Sequence, residues 1–291
     1  MPTFKTVGLI TKPDDPQIRD TVRTLLAYLQ GKRLDVLVDQ SAANILQHTG
    51  LALHPRSEIA ERCDVAIVVG GDGTLLYAAR SLFNAQVPLI GVNRGRLGFL
   101  VDINPEEMIS RLDEIFAGEF QEDHRLLFRG EVIRGDEVLA TDHALNDIVV
   151  HVNEVVRMLE FDTFIDGRYL YKQRADGLII STPTGSTAYA LSGGGPILHP
   201  NLDAVSLVPI CPHTLSNRPI VVNGRSVVEV IIGPHNPVPA MVSFDGQTNI
   251  ELKPCDRIRI TRARRTVRLL QPVDHNYFEI LRAKLKWSEQ P

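Results

Sequence analysis

Five consecutive apolar residues, Val65-Ala66-Ile67-Val68-Val69, run directly into Gly70-Gly71-Asp72-Gly73-Thr74. So short and continuous an apolar run reads as a strand buried on both faces, the kind found inside a parallel sheet. Behind the glycines, Leu75, Leu76, Ala79, Leu82 and Phe83 recur at helical spacing. Strand, tight loop and helix in that order constrain the fold to α/β. The neighbouring segments agree. Residues 7–10, 34–38 and 88–92 read as strands. Ile18, Val22, Leu25, Leu26 and Leu29 form a helix face behind Pro16, and residues 105–116 form another. The expectation is an α/β N-terminal domain with a parallel sheet over residues 1–122.

Near Phe120 the pattern changes. Short β-like runs follow at 126–133, 147–151, 158–165, 177–180, 221–222, 227–232, 241–244 and 257–262. Arg134-Gly135-Asp136, Asp166-Gly167-Arg168 and Asp245-Gly246 mark turns between them. Residues 123–272 therefore read as a mostly-β, sandwich-like C-terminal domain. Residues 278–287 return to helical spacing, so the segment 273–291 is expected to pack back on the first domain.

The glycine-acid loop lies beyond the carboxyl end of a sheet strand, where open α/β sheets bind ligands. Glycines let backbone amides approach phosphate oxygens, and the helix behind them offers unpaired N–H groups. A carboxylate in such a cradle repels a phosphate unless it has a task. Asp72 can orient a hydroxyl, accept its proton or hold a metal; the plainer alternative is an Asp that caps the helix. No Lys precedes Thr74, so this is not a P-loop, and Leu76 stands where the dinucleotide fingerprint needs its third glycine.

A second dense segment runs from Ser181-Thr182-Pro183-Thr184-Gly185-Ser186-Thr187 to Gly193-Gly194-Gly195-Pro196. Its hydroxyls and glycines suit phosphate and sugar oxygens. Just upstream, Arg174 can fork onto a phosphate and Asp176 can accept from a ribose hydroxyl or an amino group. Asn93-Arg94-Gly95-Arg96 can add positive charge or simply turn the chain. The nine histidines show no metal-ligand spacing, and His199, His213 and His275 read as structural.

Composition narrows the class. A formal net charge of -4 argues against a general nucleic-acid binder. No apolar run approaches the roughly 20 residues that span a bilayer. Residues 1–15 lack the basic-then-apolar pattern of a signal peptide. The three cysteines, Cys63, Cys211 and Cys255, are too widely spaced for a disulfide framework or a metal knuckle. A cytoplasmic protein is expected.

Together these motifs resemble the NAD kinase family, most closely its bacterial ATP-NAD kinases. The resemblance rests on Gly70-Gly71-Asp72-Gly73-Thr74, on Asn93-Arg94-Gly95-Arg96-Leu97-Gly98-Phe99-Leu100 and on the stretch from Arg174 to Tyr189. Pro212-His213-Thr214-Leu215-Ser216 and Arg218-Pro219 add to it. The glycine-acid loop alone is shared with diacylglycerol, sphingosine and phosphofructo-kinases; the segment from Arg174 to Pro196 separates NAD kinases from them. The resemblance implies two domains with the active site in the crevice between them. It implies transfer of the ATP γ-phosphoryl group to the 2′-hydroxyl of the adenosine ribose of NAD, with Asp72 as proton acceptor and Gly73 against the dinucleotide. Asn146 and Asp147 match the family's Asn-acid pair. Arg174, Asp176, Thr187, Ala188, Tyr189, Ala190, Leu191, Ser192 and Gln247 complete the implied NAD site, with Arg157 at a position where the family carries a basic residue. A divalent ion, Mg²⁺ or Mn²⁺, is implied on ATP, and a homodimer or homotetramer as the assembly. Two departures stand out: the family usually has Glu where this chain has Asp147, and often Ser where it has Ala190. The rival functions are a lipid or sugar kinase using the same loop and a non-catalytic NAD sensor.

Overall fold

A computed structural model describes residues 4–13, 15–46, 51–152, 158–214, 216–236 and 239–287. The chain divides into two compact units, Met1–His124 with Val267–Pro291, and Arg125–Thr266.

The first unit is built from β1 (Thr6–Thr11), α1 (Arg19–Gly31), β2 (Asp35–Asp39), β3 (Leu53–His54), α2 (Arg56–Arg62), β4 (Val65–Val69), α3 (Asp72–Leu82), β5 (Leu89–Val92), α4 (Met108–Ala117) and β6 (Gln121–Arg125). One sheet runs in the order β3-β2-β1-β4-β5, followed by a strand from the far end of the chain and then β6. β1 to β5 pair in parallel. Val7, Leu9, Ile67 and Ile90 on one face meet Val22, Leu25, Met108 and Leu112 of α1 and α4. Residues of the opposite face lie against α2 and α3: a Cβ on Gly8 would come within 2.6 Å of Ile59 and one on Gly91 within 3.0 Å of Leu75. Both faces are covered, which is why β4 is apolar without alternation.

The second unit carries β7 (Phe128–Arg134), β8 (Glu137–Ala144), β9 (Asp147–Val152), β10 (Leu159–Ile165), β11 (Arg168–Ala175), β12 (Gly177–Ser181), α5 (Tyr189–Ser192), β13 (Ala204–Ile210), β14 (Ile220–Asn223), β15 (Val228–Ile232), β16 (Ala240–Phe244), β17 (Thr248–Leu252) and β18 (Arg257–Arg262). Two antiparallel six-stranded sheets form, ordered β11-β10-β15-β18-β7-β8 and β14-β13-β12-β9-β16-β17. Side chains of both sheets share one core around Phe128, Phe161 and Phe244, so the unit is a sandwich.

Several elements depart from the sequence expectation. β3 and α2 lie where no element was expected. α2 spans only seven residues, too short to persist alone, and Arg56 anchors its start by two bonds of 2.7 and 2.8 Å to the buried Asp39 carboxylate. β8, β11, β13 and β17 are strands that the pattern did not mark; β8, β11 and β17 are edge strands whose outward residues interrupt the alternation. The segment from Tyr171 to Ala175, upstream of the hydroxyl-rich stretch and given no element by the pattern, lies in β11. The sharpest correction is β19 (Val267–Gln271), expected within the second domain. It belongs to the first sheet, where it pairs parallel with β5 at Leu269 and Leu89. The chain then ends in α6 (Tyr277–Leu285), also in the first unit.

Gly130 in β7 faces the sandwich core, where a Cβ would come within 2.6 Å of the Phe244 ring and 2.8 Å of Ile148. Gly130→Val is expected to destabilise the second unit by about 1–3 kcal/mol through overpacking, read as an earlier urea transition.

Candidate active site

In the first unit the candidate residues gather where β4 gives way to α3. Gly70 is needed for packing, since a Cβ there would press within 2.5 Å of Thr74 Oγ1. Gly71 and Gly73 are different: added Cβ atoms would meet open space, and neither glycine has a positive φ. Local packing therefore leaves them unexplained, and their effect is a bare backbone at the first turn of α3. Gly71 occupies the N-cap position of α3. The half-buried Asp72 turns its carboxylate to the loop after β5. Oδ2 accepts the Phe99 N–H at 3.0 Å, and Oδ1 accepts those of Leu100 and Val101 at 3.0 and 3.3 Å. A carboxylate offers about four acceptor positions, and the described residues fill three of them, which leaves one on Oδ2 for a ligand hydroxyl. Gly98 makes this grip possible, because a Cβ there would overlap Asp72 Oδ1.

In the second unit a cavity of about 550 Å³ opens on the outer face of the sheet containing β9, a size typical of small-molecule sites. Ile148 and Val150 point into the sandwich core. By strand alternation Asp147, Val149 and His151 face the other way and line the cavity. Ser243 of β16, paired with Val149, joins them, as do Asp176, Ala188, Tyr189 and Asp245. Asp176 sits at the break between β11 and β12, fixed by its N–H to Ile210 O and its carbonyl to Val152 N, both at 3.0 Å.

Electrostatics distinguish the acids. Asp245 lies at the turn after β16 with φ 51°. Its carboxylate reaches back to accept the N–H groups of Leu145, Asn146 and Asp147 at 2.8, 2.7 and 3.0 Å. Asp147 is 5% exposed. Its burial, with the negative Asp245 beside it, pushes its carboxyl up to about 7. The lining contains three carboxylates and neither Lys nor Arg. Such a wall favours hydroxyl and amino donors over phosphate.

The structure thus brings together Asn146, Asp147, Asp176, Ala188 and Tyr189 of the expected residues. Asp72 and Gly73 belong to the first unit. Arg157 lies outside the described residues. Arg174 is exposed on β11, and Gln247 is exposed at the turn it closes by its N–H to Phe244 O at 2.9 Å. Thr187, Leu191 and Ser192 fall outside the lining; Thr187 Oγ1 donates to Thr184 O at 3.3 Å. Ala190 is buried against Val149, Ile179 and Val208, so a serine hydroxyl there would need a partner. The hydroxyl-rich segment is also turned inward more than its composition suggests. Thr182 Oγ1 donates to Leu145 O at 2.5 Å, and Ser186 Oγ donates to Pro183 O at 2.6 Å and accepts from Leu198 N at 2.9 Å. Buried hydroxyls must find partners, and here they knit the loop itself. Gly185 lies against the Asn146 backbone, which would overlap any Cβ.

His151, Ser243 and Asp245 are lining residues that sequence reasoning missed. Asp245-Gly246 signals a hairpin turn, and nothing in that signal says its carboxylate grips a segment 98 to 100 positions away. Among the described residues no group of three or more His, Cys, Asp or Glu side chains is placed to hold a metal ion.

Two expectations follow. Gly98→Ala displaces the Asp72 carboxylate and lowers turnover about tenfold or more, with melting temperature changed little; steady-state kinetics beside a thermal melt check it. Asp147 gives a pH signature. Its folded pKa lies above the unfolded one, so its contribution to stability is full below about pH 4 and is lost as pH rises through 7. Relative to Asp147→Asn, the unaltered chain should lose on the order of 2–4 kcal/mol between pH 4.5 and 8. Unfolding free energies from urea titrations that change equally with pH in both proteins would contradict the described burial.

Comparison with known proteins accounts for both halves. The ATP-NAD kinase N-terminal domain family matches residues 7–120, and the ATP-NAD kinase C-terminal domain family matches residues 145–271. An NAD kinase of Chromohalobacter salexigens is 50% identical over 290 residues, covering 100% of this chain and 99% of that protein. One of Teredinibacter turnerae is 46% identical over 288 residues, covering 99% and 98%. Among solved structures, yeast NADH kinase complexed with NADH superposes with a TM-score of 0.90 at 27% identity, covering 100% of this chain and 90% of that one. An NAD kinase from Archaeoglobus fulgidus in complex with ATP gives 0.76 at 26% identity, covering 97% and 98%. With matches to both domain families and full-length relatives at this identity, the chain belongs to the NAD kinase family.

Proposed function

We propose that this chain transfers the γ-phosphoryl group of ATP to the 2′-hydroxyl of the adenosine ribose of NAD, releasing NADP and ADP. The observation that carries the reading is the Asp72 carboxylate, gripped by three amides with one acceptor position to spare, beside bare glycine backbone. Membership of the NAD kinase family supports it. Phosphoryl transfer runs through a loose transition state, so a carboxylate need not be a strong base. Asp72 aims the hydroxyl at the phosphorus and takes its proton late. Most of the acceleration then comes from positioning and charge neutralisation.

The remaining contacts are assigned on the same reading. Asn146, Asp147, Asp176, Ala188 and Tyr189 would receive a nucleoside portion of NAD, whose hydroxyl and amino donors suit an acidic, phosphate-averse wall. Gly73, Arg174, Thr187, Leu191, Ser192, Gln247 and Arg157 keep the dinucleotide contacts that the family resemblance implies, and Ala190 supports the wall from behind. Mg²⁺ or Mn²⁺ enters as part of the ATP substrate, held by its phosphates; the described residues offer no cage for it. Cytoplasmic residence and assembly as a homodimer or homotetramer belong to the same proposal. Among the described residues no helix is long and apolar enough to cross a membrane.

Purified protein incubated with NAD, ATP and Mg²⁺ should yield NADP, read with an NADP-specific dehydrogenase. Asp72→Ala should lower kcat on the order of 10²–10⁴-fold while NAD binding by calorimetry changes little. Near-normal turnover of Asp72→Ala would overturn the role given to this carboxylate.

A further inference from the structure

The three amides that hold Asp72 are themselves held by the end of the chain. Residues 93–103 leave β5 and return to it: Asn93 N–H donates to Ile103 O at 2.9 Å, and Val92 bridges Ile103. Within that excursion Gly98 N–H closes a turn on Val101 O at 3.0 Å. Leu100, Val101 and Ile103 are buried, but Leu97, Phe99 and Asp102, which frame the gripping amides, are anchored from elsewhere. His275 Nδ1 pairs with Asp102 Oδ2. Lys284 of α6 donates from Nζ to Leu97 O at 3.0 Å and lies 5.6 Å over the Phe99 ring.

The anchors are built rather than incidental. The His275 and Asp102 side chains are only 8% and 14% exposed. His275 is fixed in turn by its N–H to Pro272 O at 3.0 Å and by Gln121 Nε2, which donates to the carbonyls of Pro272 and His275 at 3.1 and 3.2 Å. Arg111 of α4 ties Asp274 at 2.8 Å. The segment between β19 and α6 is thereby pinned to the unit that carries Asp72.

We infer that His275 and Lys284 are positioning residues for the reaction: by holding Asp102, Leu97 and Phe99 they fix the amides of residues 99–101, and those amides fix the Asp72 carboxylate. The inference rests on the reading of Asp72 as acceptor of the ribose hydroxyl proton. Misplacement of a reacting group by about 1 Å can cost about 100-fold in rate. The C-terminal segment thus acts on the chemical step through Asp102, Leu97 and Phe99.

The test measures kcat, KM for NAD and melting temperature for His275→Ala, His275→Asn, Lys284→Met and Asp72→Ala. Asn keeps a donor near the place of Nδ1. Expected are kcat values lowered roughly 10- to 100-fold in His275→Ala and about 3- to 10-fold in Lys284→Met. KM for NAD should stay within about twofold, and His275→Asn should recover most of the loss. Lys284 is exposed, so its variant keeps the test valid if His275→Ala fails to fold. Unchanged kcat in Lys284→Met and in a folded His275→Ala, beside an inactive Asp72→Ala, overturns this inference alone. An active Asp72→Ala overturns the site reading and this inference with it. A lowered melting temperature with kcat intact would make the C-terminal anchors purely structural and also overturn it.

Discussion

A carboxylate that accepts three consecutive backbone amides holds a stretch of chain as no side-chain pair does, because each N–H it captures removes freedom from a different residue. This protein uses the device twice. Asp72 takes the amides of 99–101, and Asp245 takes those of 145–147. In the first case the acid is the proposed proton acceptor and the amides are its frame. In the second the acid is the frame, and the amides belong to Asn146 and Asp147. Both grips join segments distant in sequence, so the geometry of each site is as stable as the unit around it.

The two uses leave their acids in different settings. Asp72 is left half-buried with an acceptor position free, fit to meet a hydroxyl. Burial raises the Asp147 carboxyl towards neutrality, and the negative charge of Asp245 beside it adds to the rise. An acid near 7 can donate as well as accept a hydrogen bond, which widens the ligand groups that Asp147 can meet. Asp147 is also the position where this chain departs from the family's usual Glu. Asp147 stands at the start of β9, its N–H held by the Asp245 turn.

The fold organises these devices economically. A parallel sheet delivers β4 into the glycine loop and β5 into the loop that frames Asp72, so two adjacent strand ends build the acid's setting. An antiparallel sheet instead offers a face: β9 alternates core and cavity residues, and Asp147, Val149 and His151 fall on the cavity side without any loop to place them.

Much of this was legible from the residues alone. Apolar run, glycines and acid at 65–74 dictate a buried strand, a tight turn and a carboxylate at a helix start, because local sterics and periodicity decide such features. The Asn146-Asp147 pair and Asp176 were nameable by resemblance, and the change from α/β to mostly-β near residue 122 followed from spacing. Other features depended on contacts that local pattern does not record. β19 falls inside the range expected for the second half, and only pairing with β5 assigns it to the first sheet. Asp245 reads as a turn residue, and Thr182 and Ser186 as ligand donors. Asp245 and Thr182 find their partners in a distant segment around residues 145–147, whereas Ser186 bonds within its own loop. Sequence determined the chemistry available at each position; tertiary structure decided which carboxylate stayed free to use it, because that depends on how many amides the folded chain had already turned towards it.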